Sequence, residues 1–153
     1  MTVQVRTATA ADEPFLWDML YLALYVPAGE TPLPRSVLSQ PALARYVQHW
    51  GARRGDRGLI AARDGVPVGA AWLRLFPASD PGYGFVDETI PELTIAVQFG
   101  CRGHGIGSGL LEHILHDVQA VSLSCDPANP ARRLYLRLGF KVLPDGRTML
   151  RMP

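Results

Sequence analysis

The chain has 153 residues, 48% of them apolar and 19% charged, with a formal charge of +1. That length suits one domain with a substantial core, and the modest charge excludes a disordered chain. The even balance offers neither a basic stripe for nucleic acid nor an acidic tail. Fourteen arginines stand against one lysine, Lys141, so a catalytic lysine is not expected. No apolar run approaches the ~18–20 residues of a membrane span. The first residues lack the basic-then-apolar layout of a signal peptide, so a soluble cytoplasmic protein is the expectation. Two cysteines, Cys101 and Cys125, are too few for a disulfide framework.

In chain order, "TVQVRTA" (2–8) alternates as a strand. Thr9 with Asp12 resembles a capping box, so a helix is expected over 11–25, with Phe15, Met19, Leu22 and Val26 at helical spacing. The proline-rich stretch 27–34 reads as a loop, and Ser39 with Pro41 starts a second helix over 40–53. Two strands follow in 58–76 around Asp64-Gly65, a hairpin turn signal. The segment 77–91 is a long loop carrying Asp80, Asp87 and Glu88. Glu92–Val97 reads as a strand, and 105–118 as a helix with Ile106, Leu110, Leu111, Ile114, Leu115 and Val118 on one face. "AVSLSC" (120–125) is a buried strand. "NPARRLYLRL" is a short helix with Pro130 near its start and Gly139 at its end. A last hairpin turns at Asp145-Gly146. The order β-α-α-β-β-β-α-β-α-β-β implies a mixed α/β fold with helices on both faces of the sheet. The strands at 92–97 and 120–125, joined by a helix, are expected to run parallel.

Five glycines fall in ten residues, at 100, 103, 105, 107 and 109, between a strand and a helix. A helix start has unpaired N–H groups and a dipole that favours an anion. Glycines let a ligand reach that backbone, so strand, glycine turn and helix together form a phosphate-binding design. Ordinary N-capping would need fewer of them, since each glycine inside a helix costs about 1 kcal/mol. No lysine follows as in a P-loop, and the G-x-G-x-x-G dinucleotide fingerprint fails at Ser108 or Leu110, depending on the starting glycine.

The run Arg102-Gly103-His104-Gly105-Ile106-Gly107 does fit R-x-x-G-x-G. Here the sequence resembles the GNAT superfamily of N-acetyltransferases. The resemblance runs from "LTIAV" through "RGHGIGSGLL" and resumes in "NPARRLYLRLGF", covering 92–140. The lead-in order of elements matches as well.

The resemblance implies a single domain over 1–153, with a mixed, mostly antiparallel sheet. It implies acetyl-CoA as co-substrate, with no metal. The pyrophosphate would be held by backbone N–H groups of Arg102, Gly103, His104, Gly105, Ile106, Gly107 and Ser108. The pantetheine arm would run along Ile95, Ala96 and Val97, and an N–H near Val97 would polarise the thioester carbonyl. Asn129 would bond the same arm, although Asn before Pro is also a good helix cap. Tyr135 would protonate the departing thiolate. Glu92 would act as base toward the amine, directly or through water, with a water chain ending on Asp87 or Glu88 as the competitor. A bulge in this strand would change the face Glu92 occupies and bring Thr94 forward. The implied reaction is direct acetyl transfer, in a ternary complex, to the primary amine of a small molecule or peptide. The other reading is a CoA-binding sensor or interaction module without turnover. Neither nucleic acid nor membrane is expected as partner, and a homodimer is open, as dimers are common in the family.

His113 and His116 lie three apart on the helix, without further ligands, and read as solvent-exposed. Trp17, Tyr21 and Tyr25, at four-residue intervals, divide between core and acceptor-pocket wall. The loops 27–34 and 77–91 frame the acceptor entrance, where negative charge would suit an amine.

Overall fold

The computed structural model describes residues 2–153. The Asp64-Gly65 signal does what its chemistry demands: both residues have positive φ, 52° and 82°, which a two-residue type I′ turn requires. The turn joins β2 (Arg57–Arg63) to β3 (Val66–Arg74). β1 (Val3–Thr7) pairs with β2, and β4 (Glu92–Val97) with β3, all antiparallel. β5 (Val121–Ser124), β6 (Lys141–Val142) and β7 (Thr148–Arg151) complete a seven-stranded sheet in the order β1-β2-β3-β4-β5-β7-β6. One neighbouring pair is parallel, β4 with β5, as expected from the intervening helix.

Helices cover both faces. α3 (Ile106–Leu115) lays Leu110, Leu111 and Ile114 into a core with Leu73, Leu93 and Val121. α4 (Arg132–Arg137) adds Leu134 and Tyr135 to that side. α1 (Glu13–Ala23) buries Leu16, Met19 and Leu20 on the other face against Ile60, Ala70 and Trp72. The order of elements is the expected one, but all four helices are shorter, α4 omitting the Asn129-Pro130-Ala131 lead-in. α1 is preceded by a 3-10 turn at Ala10–Asp12, where Asp12 accepts the Thr9 N–H at 2.7 Å. α3 stops at Leu115 rather than 118.

The second helix departs most from expectation. α2 spans Pro41–Ala44, not 40–53, and turns follow to residue 51. Side chains from β3 take the carbonyls that a longer helix would use. Arg74 Nη1 donates to Arg45 O (2.9 Å) and Gln48 O (2.8 Å), and Trp72 Nε1 donates to Tyr46 O (3.0 Å). His49 then adopts φ 58° and reverses the chain. Arg74 is fully buried, and its charge is met by a two-bonded pair with Asp56 at 3.0 Å.

Gly139 ends α4 as predicted, with φ 96°. The Phe140 N–H returns to Tyr135 O and the Gly139 N–H to Leu136 O, both at 3.1 Å, a Schellman closure.

Candidate active site

The parallel pairing of β4 and β5 consists of one position, Glu92 with Ser122. Beyond it the strands part. β4 meanwhile stays paired with β3 along its whole length, from Arg74–Glu92 to Gly69–Val97, with no bulge. The Gln98 N–H donates to Val68 O at 2.8 Å. The alternation of an antiparallel ladder then turns the amides of Ala96, Thr94 and Glu92 toward β3 and those of Leu93, Ile95 and Val97 toward β5. Of the segment 95–97, the Ile95 and Val97 amides therefore face the opening, and Ala96 belongs to the sheet.

The chain after β4 makes a 3-10 turn at Phe99–Cys101 and enters α3 through Gly103 and Gly105. These two have φ of 82° and 77°, a region where a side chain is strained. The Arg102 N–H is taken by Phe99 O at 3.3 Å, and the Gly109 N–H by Gly105 O at 3.0 Å. Between them, the amides of Gly103, His104, Gly105, Ile106, Gly107 and Ser108 donate to no acceptor among the described residues. A Cβ on Gly100, Gly103, Gly105 or Gly109 would meet nothing within 4 Å, so crowding inside the fold does not explain these glycines. Six open amides at a helix start form a cradle for an anion. The diphosphate of a coenzyme fits this chemistry. Arg102 extends beside the cradle, its Nε donating to Val97 O at 3.1 Å and its guanidinium 4.0 Å from the centre of the exposed Phe99 ring.

Asn129 lies in the turn after β5. Its Oδ1 accepts the Ala131 N–H at 3.0 Å, an Asx turn ahead of α4 rather than its cap, which is Ala131, and its amide nitrogen has no acceptor among the described residues. Tyr135 is half-buried on α4, with its ring edge-on to Phe140 at 5.9 Å. Burial raises its phenol above the ordinary range, and the neighbouring Cys125 adds to this.

Glu92 is 3% exposed. Its side chain shares a face with Arg74, Trp72 and Thr94, toward α1, whereas Tyr135 packs on the α3 side. The structure thus sets the two on opposite sides of the opening. Burial pushes the Glu92 carboxyl up to about 7, despite hydrogen bonds from Tyr46 and the Gly84 N–H and the nearby Arg45 charge. The Tyr46 hydroxyl donates to Oε2, and the Gly84 N–H to Oε1 at 3.1 Å.

The acidic loop is less free than its composition suggests. Asp80 pairs with Arg45 at 3.1 Å, Asp87 accepts from Thr89, and Glu88 accepts the Ala78 N–H. Among the aromatic residues of α1, Trp17 donates to Glu13, while Tyr21 donates to Leu33 O in the proline-rich loop. Tyr25, just past the helix, reaches Ala128 O at 3.2 Å. His104, His113 and His116 are exposed.

Tyr46, Gly82 and Gly84 escaped the sequence reading. A Cβ on Gly84 would lie 2.6 Å from the Leu123 backbone carbon, and one on Gly82 would lie 2.3 Å from Glu92 Oε1. The alternate glycines of "PGYGF" were the available signal for a loop pressed onto the sheet. Tyr46 gave no signal, because its partner is 46 residues away.

Among the described residues no helix is long and apolar enough to cross a membrane, and no group of three His, Cys, Asp or Glu could hold a metal. No curated protein sequence matches this chain. Solved structures do. The ribosomal-protein-alanine N-acetyltransferase of Brucella melitensis is 25% identical, with 98% of this chain and 99% of that one covered and a TM-score of 0.65. The paia N-acetyltransferase of Thermoplasma acidophilum, solved in complex with coenzyme A, is 16% identical over 100% of both chains, at 0.66. A GNAT-family acetyltransferase from Streptococcus pneumoniae is 16% identical, covering 99% and 100%, at 0.68. The last two show likeness of fold. The family model described as "Acetyltransferase (GNAT) family" matches residues 21–140, which include the split strands and the open turn, and the chain belongs to that family.

Proposed function

We propose that this protein is an N-acetyltransferase that moves acetyl from acetyl-CoA directly to a primary amine within a ternary complex, as one domain over residues 1–153. The observation that carries this is the run of open amides from Gly103 to Ser108 at the mouth of the β4–β5 opening. When bound, acetyl-CoA would supply an acetyl thioester. The cradle amides hold its diphosphate, with Arg102 alongside. Ile95 and Val97 present N–H groups to the pantetheine arm, and Asn129 contributes its free amide nitrogen. The Val97 N–H stabilises charge as it builds on the thioester oxygen.

An alkylamine with a pKa near ~10 is mostly protonated at neutral pH, and only its neutral form attacks. Glu92, from the α1 side, accepts that proton directly or through water. A carboxyl that titrates at about 7 is matched to this task, since a base works best near the operating pH. Tyr135, from the α4 side, gives its proton to the departing thiolate. A phenol held above its ordinary range stays protonated until that moment.

The test is thiol release with a panel of primary amines, paired with thermal-shift measurements. Stabilisation by acetyl-CoA and CoA but not by ATP or NAD, with turnover on at least one amine, is expected. Glu92→Gln should lower kcat/KM by about 10²–10⁴-fold. Coenzyme binding without thiol release across the panel would favour a CoA-binding module. No binding at all would overturn the reading.

A further inference from the structure

The Glu92 carboxylate is gripped by residues that sequence reading did not connect with it. Tyr46, in the turns after α2, donates its phenol O–H to Oε2. The same hydroxyl accepts the Tyr83 N–H at 2.7 Å. With a lone pair engaged by Tyr83, the phenol proton is directed at Glu92. The tyrosine is itself fixed. Its carbonyl accepts from Trp72 Nε1, its ring lies against Phe76 at 5.1 Å, and the flanking Arg45 and Gln48 carbonyls are tied to Arg74. Gly82 makes the approach feasible, since a Cβ there would lie 2.9 Å from the Tyr46 hydroxyl as well as against Glu92.

The other groups facing Glu92 are few. Arg45 comes from the Tyr46 segment, is held by Asp80, and lies over the Tyr83 ring at 5.3 Å. Arg74, opposite on β3, has its charge met by Asp56. β5 offers the uncharged Ser122, and α1 turns Leu16, Met19 and Leu20 inward.

We propose that Tyr46 is a positioning residue for acetyl transfer: its hydroxyl fixes the orientation of the Glu92 carboxylate and keeps it in the charged form that accepts a proton. This rests on the reading of Glu92 as the base. Burial alone would favour the neutral acid, and a hydrogen bond donated to the carboxylate opposes that. A bond to a charged group is strong enough to move a titration by about one to two pH units.

The experiment is a carbon-13 NMR titration of the Glu92 carboxyl in the full chain, with the pH profile of kcat/KM. In Tyr46→Phe the Glu92 midpoint should rise by about one to two pH units, and the acid limb of kcat/KM should rise with it. Turnover near pH 7 then falls by roughly 5–50-fold, while the alkaline plateau is recovered. Replacing Tyr46 by 3-fluorotyrosine keeps the shape and strengthens the donor, so the midpoint should move down. This second variant serves if the first fails to fold. An unmoved midpoint in either folded variant overturns the proposal, as does a lost plateau with the limb in place. Full activity in Glu92→Gln would remove the base reading while leaving the NMR shift intact, so the two failures are distinguishable.

Discussion

Replacing Glu92 by glutamine should remove a pH dependence of stability that the natural chain carries. Burial raises this carboxyl from 4.5 to about 7 in the folded state. A group whose folded pKa is raised binds its proton more tightly when folded. Its stabilising contribution is full below pH 4.5 and is lost as the pH climbs toward 7. At 1.36 kcal/mol for each pKa unit, the loss is on the order of 3 kcal/mol. Urea unfolding of both proteins at intervals from pH 4 to 8.5 isolates it, because the other groups are common to both. The stability of the natural chain minus that of Glu92→Gln should shrink by ~3 kcal/mol across this window. In thermal melts that is a relative change of roughly 6–12 °C for a domain of this size. A gap that stays level, or widens with pH, would refute the claim that burial raises the titration of this carboxyl.

Other outcomes follow from named contacts. Tyr135→Phe should lower kcat at least about tenfold with little change in CoA affinity; an unchanged kcat in steady-state assays removes Tyr135 from the reaction. Gly105→Ala places a side chain at φ 77°, so calorimetry should show a loss of about 1–2 kcal/mol, and titration with CoA should show weaker binding. Arg74→Leu strands the buried Asp56, and denaturant unfolding should register a loss of about 3–5 kcal/mol.

The order of strands and helices was legible because local signals carried it. Asp64-Gly65 specified a turn, Gly139 a helix end, and the apolar spacing from Ile106 to Leu115 a buried helix face. The parallel relation of β4 and β5 followed from the helix between them. The open turn was also readable, since Gly103 and Gly105 are needed by the backbone itself. What stayed hidden depends on distant partners. The helix expected over 40–53 ends at Ala44, where Arg74 and Trp72 draw in the carbonyls that follow, and neither is near in sequence. The same long reach brings Tyr46 to Glu92. The partners of loop 77–91 were hidden in part for the same reason, since Asp80 pairs with the distant Arg45 while Asp87 and Glu88 accept from Thr89 and the Ala78 amide.

The lone Glu92–Ser122 rung has a mechanical consequence. It divides the sheet into two panels, one of β1 to β4 and one of β5, β7 and β6, leaving a wedge lined by unspent backbone donors. Whatever fills that wedge becomes a keystone, contributing rungs that the polypeptide omits. Folding strength then depends on the concentration of that filler, by about 2.7 kcal/mol at a hundredfold excess over Kd. The chain is therefore built to be firmest when loaded.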